Sequence, residues 1–210
     1  MRVLMAAVGA LSLVACNAIG GADGPALPPV KQGAQAPQQL TRPSGQAARD
    51  HSISEQDRQG FIGQVNGYLD QIQNGNAEGW TGVQGFPTEI ITMGPGTDHR
   101  WQVSLTGGTE YRFVGACDQD CSDIDIELVD FSTGGVVASD VLPDDFPVTR
   151  FTPPADGRYI VRLSMKTCTT APCFAGVRVL QAPPQAAAAT TTATTAGDKP
   201  GATQTETPGK

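Results

Sequence analysis

The chain has 210 residues, 39% of them hydrophobic and 17% charged, with a formal net charge of −7. That length permits one or two domains with a buried core. The acidic balance excludes the basic footprint that nucleic-acid binding requires, so no nucleic-acid partner is expected.

Residues 1–15 read as an export signal. Arg2 supplies a minimal positive start, and residues 3–14 form an apolar run too short to span a bilayer. The run ends in Leu13-Val14-Ala15-Cys16, which resembles a bacterial lipoprotein signal. The resemblance implies cleavage before Cys16, a diacylglyceryl group on its thiol and palmitate-type acylation of the new amino terminus. The bilayer is then the first expected partner, held through Cys16. Each buried methylene adds about 0.8 kcal/mol, so two or three acyl chains anchor a protein stably where one does not. Loss of Arg2 takes the net charge from −7 to −8. An ordinary signal peptide, cut near Ala18 or Gly21, is the alternative.

Residues 16–50 are rich in Gly, Pro, Gln and Ala and poor in large apolar side chains, and are expected to form a flexible tether. Residues 51–97 are expected to hold one amphipathic helix and a connecting segment. The helix is predicted over residues 54–74: Ser54 is a capping residue, and Glu55 and Asp57 suit the positive end of the helix dipole. Phe61, Ile62, Val65, Leu69 and Ile72 form one apolar stripe. Gly60, Gly63 and Gly67 oppose it at about 1 kcal/mol each. Asn74-Gly75 would end it.

From Trp101 onward the period changes to two. Trp101, Val103 and Leu105 alternate, and Gly107-Gly108 turns the chain into Tyr111 and Phe113. Ile124, Ile126 and Leu128 alternate with Asp125 and Glu127, a face expected to be solvated. Short strands follow around Val136, Val148–Phe151 and Tyr159–Met165, and Phe174, Val177 and Val179 complete the set. The fold class expected is mainly β: an antiparallel β-sandwich of about seven to eight strands over residues 98–181, preceded by the helix. Tyr159, just after Asp156-Gly157, is either a tyrosine corner or an ordinary half-buried strand tyrosine. Residues 182–210 are expected to be a disordered tail of Thr, Ala and Pro.

Setting Cys16 aside leaves Cys117, Cys121, Cys168 and Cys173, an even number that in an exported chain favours disulfides. Three pairings are possible. Cys117–Cys121 and Cys168–Cys173 are expected because each closes a short loop beside a predicted strand. A four-thiolate zinc site is the competing reading. Around the first pair lie Asp118, Asp120, Asp123 and Asp125, followed by Asp144 and Asp145, with no Lys or Arg from residue 117 to 149. These six aspartates are candidate calcium ligands, since calcium takes six to eight oxygens on a flexible loop. The spacing is not that of an EF-hand. No serine-nucleophile elbow, zinc-binding His pair or phosphate-cradling loop appears, and His51 and His99 are the only histidines. An enzyme is therefore not expected. Trp80 and Trp101 suit core packing more often than a recognition surface.

Residues from about Asp98 to Gln181 resemble the bacterial pre-peptidase C-terminal domain. The residues that carry the resemblance begin with His99 to Leu105, Gly108 and Tyr111. They continue with the Cys117-Asp-x-Asp-Cys121-x-Asp-x-Asp run and Asp144-Asp145-x-Pro147. Gly157-x-Tyr159-x-Val161, Met165-x-x-Cys168 and Pro172-Cys173 complete them. The resemblance implies a small β-sandwich without an active site, which aids secretion or binds matrices and partners, with calcium in some members. No peptidase domain is expected ahead of it. The function expected is therefore a non-enzymatic, lipid-anchored envelope protein, on the periplasmic or surface face. Its sandwich would bind or adhere to an envelope or extracellular protein or polysaccharide. A hydrolase or protease accessory acting in trans and a purely structural envelope protein are the alternatives.

Overall fold

The computed structural model describes residues 22–41 and 53–184. Elements follow in the order β1 (Ala22–Asp23), α1 (Glu55–Asn76), β2 (Thr81–Gly82), β3 (Ile90–Met93), β4 (Thr97–Leu105), β5 (Tyr111–Cys117), β6 (Cys121–Asp130), β7 (Val136–Asp140), β8 (Val148–Phe151), β9 (Gly157–Cys168) and β10 (Cys173–Gln181). One sheet has the order β1-β4-β9-β6-β7, and the other β2-β10-β5-β8, with β3 also on β10. All pairings are antiparallel except β1 with β4. The fold is a β-sandwich, as the alternating pattern predicts. β4 to β10 are the seven strands expected; β1, β2 and β3 are additional, two of them only two residues long.

Period-two alternation sets the core. Trp101, Val103 and Leu105 of β4, Ile124, Ile126 and Leu128 of β6, and Val161, Leu163 and Met165 of β9 face inward from the first sheet. Phe113 of β5 and Ala175, Val177 and Val179 of β10 meet them from the second. Trp101 belongs to this core, and its indole N–H donates to Glu89 at 3.3 Å. Trp80 is half-buried, with the Arg112 guanidinium 4.7 Å from its ring centroid.

α1 covers the outer face of the second sheet. It begins where the sequence places it: Ser54 caps it, its Oγ accepting the Asp57 N–H at 3.2 Å. It runs two residues past Asn74 and ends at Asn76. Val65 and Leu69 are fully buried against Val114, Ala116, Phe174 and Leu180. Phe61 stacks on Phe174 with ring centroids 5.1 Å apart. Burying each of these side chains is worth about 1.5–3 kcal/mol, enough to offset three interior glycines.

The outer face of the first sheet is covered by residues 22–41. β1 extends β4, and the chain then crosses to the β6–β7 turn, where the Lys31 N–H reaches the Thr133 carbonyl at 2.8 Å. Gly134 makes that approach possible: its φ is +68°, and a Cβ there would lie 2.4 Å from the Pro29 carbonyl oxygen. The Val136 N–H then donates to Gln35 at 2.8 Å, and the segment returns toward β9 with Pro37 buried. This part of the expected tether is thus a docked strap. Its backbone is held at Lys31 by the β6–β7 turn, at Gln35 by β7 and at Gln38 by side chains of β6 and β9. Residues 1–21, 42–52 and 185–210, which include Cys16, His51 and most of the expected tail, lie outside the described residues.

Tyr111 makes the hydroxyl–backbone bond that a tyrosine corner requires. Its oxygen accepts the Thr106 N–H at 2.9 Å. Tyr159 instead packs edge-on against Phe151, with ring centroids 5.3 Å apart.

Candidate functional site

Both local disulfides are formed, Cys117–Cys121 and Cys168–Cys173, each with Cα atoms 5.9 Å apart. Cys121 pairs with Cys168 in the β6–β9 ladder, so the two staples sit side by side at one end of the sandwich. The sulfurs are bonded in pairs, which leaves no thiolate set for zinc.

The six candidate calcium ligands do not converge. Asp118 turns inward and is 1% exposed. Its Oδ2 accepts the Phe174 N–H at 2.7 Å and its Oδ1 the Asp120 N–H at 3.1 Å. Burial raises its pKa above the usual carboxylate value, and these backbone donors oppose the rise. Asp125 pairs with Lys166 at 2.9 Å; burial raises its pKa too, against the pull of that ammonium. Asp123 is raised by burial and by the neighbouring Asp144, while Lys166 lowers it. Asp144 Oδ1 accepts the Phe146 N–H at 3.2 Å. Asp120 meets its neighbours here through its backbone: its carbonyl accepts from Thr169 Oγ1 at 2.8 Å. The Asp145 carbonyl oxygen lies 3.9 Å from the disulfide-bonded Cys117 Sγ, a contact that involves no hydrogen. Among the described residues no three His, Cys, Asp or Glu side chains are placed to share an ion. Asp118, Asp125 and Asp144 thus each have a local structural task, as a backbone acceptor or as the partner of Lys166.

A second polar constellation lies on the outer face of the first sheet, beneath the strap. The face expected to be solvated is buried: Asp125 is 3% exposed and Glu127 2%. Register places Arg162 between Arg100 and Glu127, and Ser164 between Asp98 and Asp125. Arg162, 4% exposed, bonds Asp98 through Nε and Glu127 Oε2 through Nη1 at 2.5 Å. Arg100 grips Asp98 from the other side at 2.9–3.1 Å. Lys166 completes the set with Asp125. Three acids thus meet three bases, and pairing in this geometry is what makes their burial tolerable.

Gln38 locks the strap onto this row. Its N–H donates to Glu127 Oε1 at 3.0 Å, its carbonyl accepts from Arg162 at 2.8 Å, and its Oε1 accepts from Lys166 at 2.6 Å. Beside it lies a cavity of about 400 Å³ between strap and sheet. Leu27, Val30, Pro37 and Leu40 give it apolar walls, and Arg100 and Arg162 a cationic end. Both arginines at that end are already engaged by carboxylates. Ser164 Oγ is buried without a hydrogen-bond partner among the described residues.

Only Asp125 of this constellation was a candidate from the sequence. One signal was present for the rest: Arg162 stands alone in the apolar run Tyr159-Ile-Val-Arg-Leu163, and a charge so placed requires a buried partner. His99, in β4, lies 4.3 Å from the Trp101 ring and 3.7 Å from Asp23. The sequence matches no protein-family model, and no curated protein shows significant similarity to it.

Proposed function

We propose that this chain is a non-enzymatic bacterial envelope lipoprotein. Its disulfide-stapled sandwich is held at a membrane by lipid on Cys16 and serves as a binding module for an envelope or extracellular protein or polysaccharide. One observation carries the non-catalytic part of this reading. Every buried charged side chain described (Asp98, Asp118, Asp125, Glu127 and Arg162) is committed to an ion pair or a backbone hydrogen bond that holds the fold. Side chains engaged in this way are not poised to act on a substrate as acid, base or nucleophile. Two disulfides support an oxidising compartment, and Leu13-Val14-Ala15-Cys16 supports the anchor. The resemblance to pre-peptidase C-terminal domains points the same way. Among the described residues no helix is long and apolar enough to cross a membrane, so on this reading the lipid supplies the attachment.

Growth on a labelled fatty acid tests the anchor. Label enters the protein and the chain sediments with membranes; Cys16→Ala abolishes both. Label retained in that variant would refute the assignment. Crosslinking in intact cells then identifies what the sandwich binds.

A further inference from the structure

One end of the sandwich gathers features that the fold alone leaves unexplained. β1 runs parallel to β4 with Ala22 opposite Asp98, the second residue of that strand, so the strap joins the sheet from the end where β4 starts. Thr97 and Ile124 both pair with Met165, which puts the starts of β4 and β6 at this same end. β7 runs toward it, with Asp140 opposite Ile126, and the Ile124 N–H donates to the Asp144 carbonyl of the β7–β8 loop at 3.0 Å. The strap's first described residue and the β7–β8 loop therefore share one end.

That loop displays the two most exposed large apolar side chains described, Leu142 and Phe146, with Val141 beside them. Leu142 is 62% exposed, Phe146 54% and Val141 41%. Its backbone is pinned: Asp140 accepts the N–H groups of Leu142 and Val148, at 3.2 and 2.8 Å, and Asp144 accepts that of Phe146. A fixed loop that holds Leu and Phe out into water has the character of an interaction surface.

Six residue steps separate Cys16 from Ala22, at most about 20 Å of extended chain. Lipid on Cys16 would hold this end of the sandwich within that distance of the bilayer. Across the sheet, β1 and β7 are four strand spacings apart, or about 19 Å, so the loop faces the same surface as the anchor. We propose that the β7–β8 loop is a membrane-contact site in which Leu142 and Phe146 seat in the bilayer interface beside the anchored amino terminus. The inference rests on the anchoring reading above. Charge selects the lipid: Asp140, Asp144 and Asp145 flank the apolar side chains without a Lys or Arg in the loop. An anionic surface repels them, so the partner is a zwitterionic bilayer.

With the other four cysteines in disulfides, Cys16 is the one free thiol of the chain beginning there. Coupling it to a maleimide phospholipid in phosphatidylcholine vesicles supplies the anchor without relying on lipidation in cells. In Phe146→Trp, lipids brominated on their acyl chains should quench the added fluorescence at least threefold more than in Thr106→Trp, which marks the β4–β5 turn at the opposite end. Leu142→Ser in the Phe146→Trp background should weaken the quenching, as should replacing a third of the lipid with phosphatidylglycerol. Equal quenching at positions 146 and 106 would overturn the contact site, as it would if the loop instead received a protein partner. Strong quenching at 146 with no fatty-acid label in cells would refute the anchoring reading and leave the contact site supported.

Discussion

Replacing Arg162 with methionine keeps most of the side chain's bulk and removes the charge at the centre of the buried row. Asp98 retains Arg100, which grips it at 2.9–3.1 Å. Among the described residues Glu127 retains only the Gln38 N–H at 3.0 Å, and the Gln38 carbonyl loses its donor. The loss therefore falls on a carboxylate that is 2% exposed. Removing one partner of a buried ion pair costs about 3–5 kcal/mol, mostly because the other charge is left uncompensated. For a folded body of this size that is a fall in melting temperature of about 6–20 °C. The double variant Arg162→Met/Glu127→Met removes the orphaned charge as well. It should recover to within about 2 kcal/mol of the parent, the remainder being the Gln38 backbone groups. Chemical denaturation of the three proteins, with disulfides intact, measures both steps. A single-variant cost below about 1 kcal/mol, or a double variant no better than the single, would refute the idea that Arg162 is held by buried pairing.

Gly134→Ala should loosen the strap, since the added methyl meets the Pro29 carbonyl oxygen and the φ of +68° disfavours any side chain; limited proteolysis should then cut within residues 22–41 before the sandwich. Cleavage no faster than in the parent would count against tight docking there. Replacing Cys168 and Cys173 together with alanine should lower stability by about 2 kcal/mol, because the bridge closes a short loop; non-reducing peptide mapping confirms the surviving Cys117–Cys121 bridge. Asp118 has its folded pKa raised by burial, so the folded chain holds a proton that the unfolded chain releases. Its contribution therefore favours folding as pH falls through the raised value toward the ordinary one, and is lost as pH rises through the folded value. Melting curves from neutral pH down to about pH 4, the region of ordinary carboxylates, should show a relative gain over Asp118→Asn, and parallel curves would refute the raised pKa. Added calcium or a chelator should leave the melting temperature unchanged, because a ligand specific to the folded state has to raise it and the six aspartates do not converge; a rise at millimolar calcium would overturn that geometry.

Much of the sandwich was legible because its signals are local. Alternation in Trp101–Leu105, Ile124–Leu128 and Tyr159–Met165 reflects strand geometry, which gives successive side chains opposite faces whatever the neighbouring strand is. The Ser54 cap and the Phe61–Ile72 stripe placed α1 to within two residues at its end for the same reason. Nearness in sequence also carried the two disulfides, each closing a loop of a few residues. β1 to β3, which no local pattern marks, are two to four residues long and take their definition from partners far along the chain.

The candidate site was less legible. The acidic run drew attention to Asp118, Asp120, Asp123 and Asp125 as a group, yet their neighbours divide them: Asp118 caps backbone, while Asp125 joins Lys166. Alternation put Asp125 and Glu127 on the face opposite Ile126 but was silent on what covers that face. By itself, then, the sequence determined the strand faces, the helix, the staples and the acidic character of the chain. Only the tertiary structure decided that the outer face is covered, that Arg162 stands between Asp98 and Glu127, and that residues of an apparent tether form the strap. The physical reason is that burial of a charge depends on partners brought from elsewhere. Gln38 and Arg162 are 124 positions apart in sequence and meet only when strap and sheet are both in place.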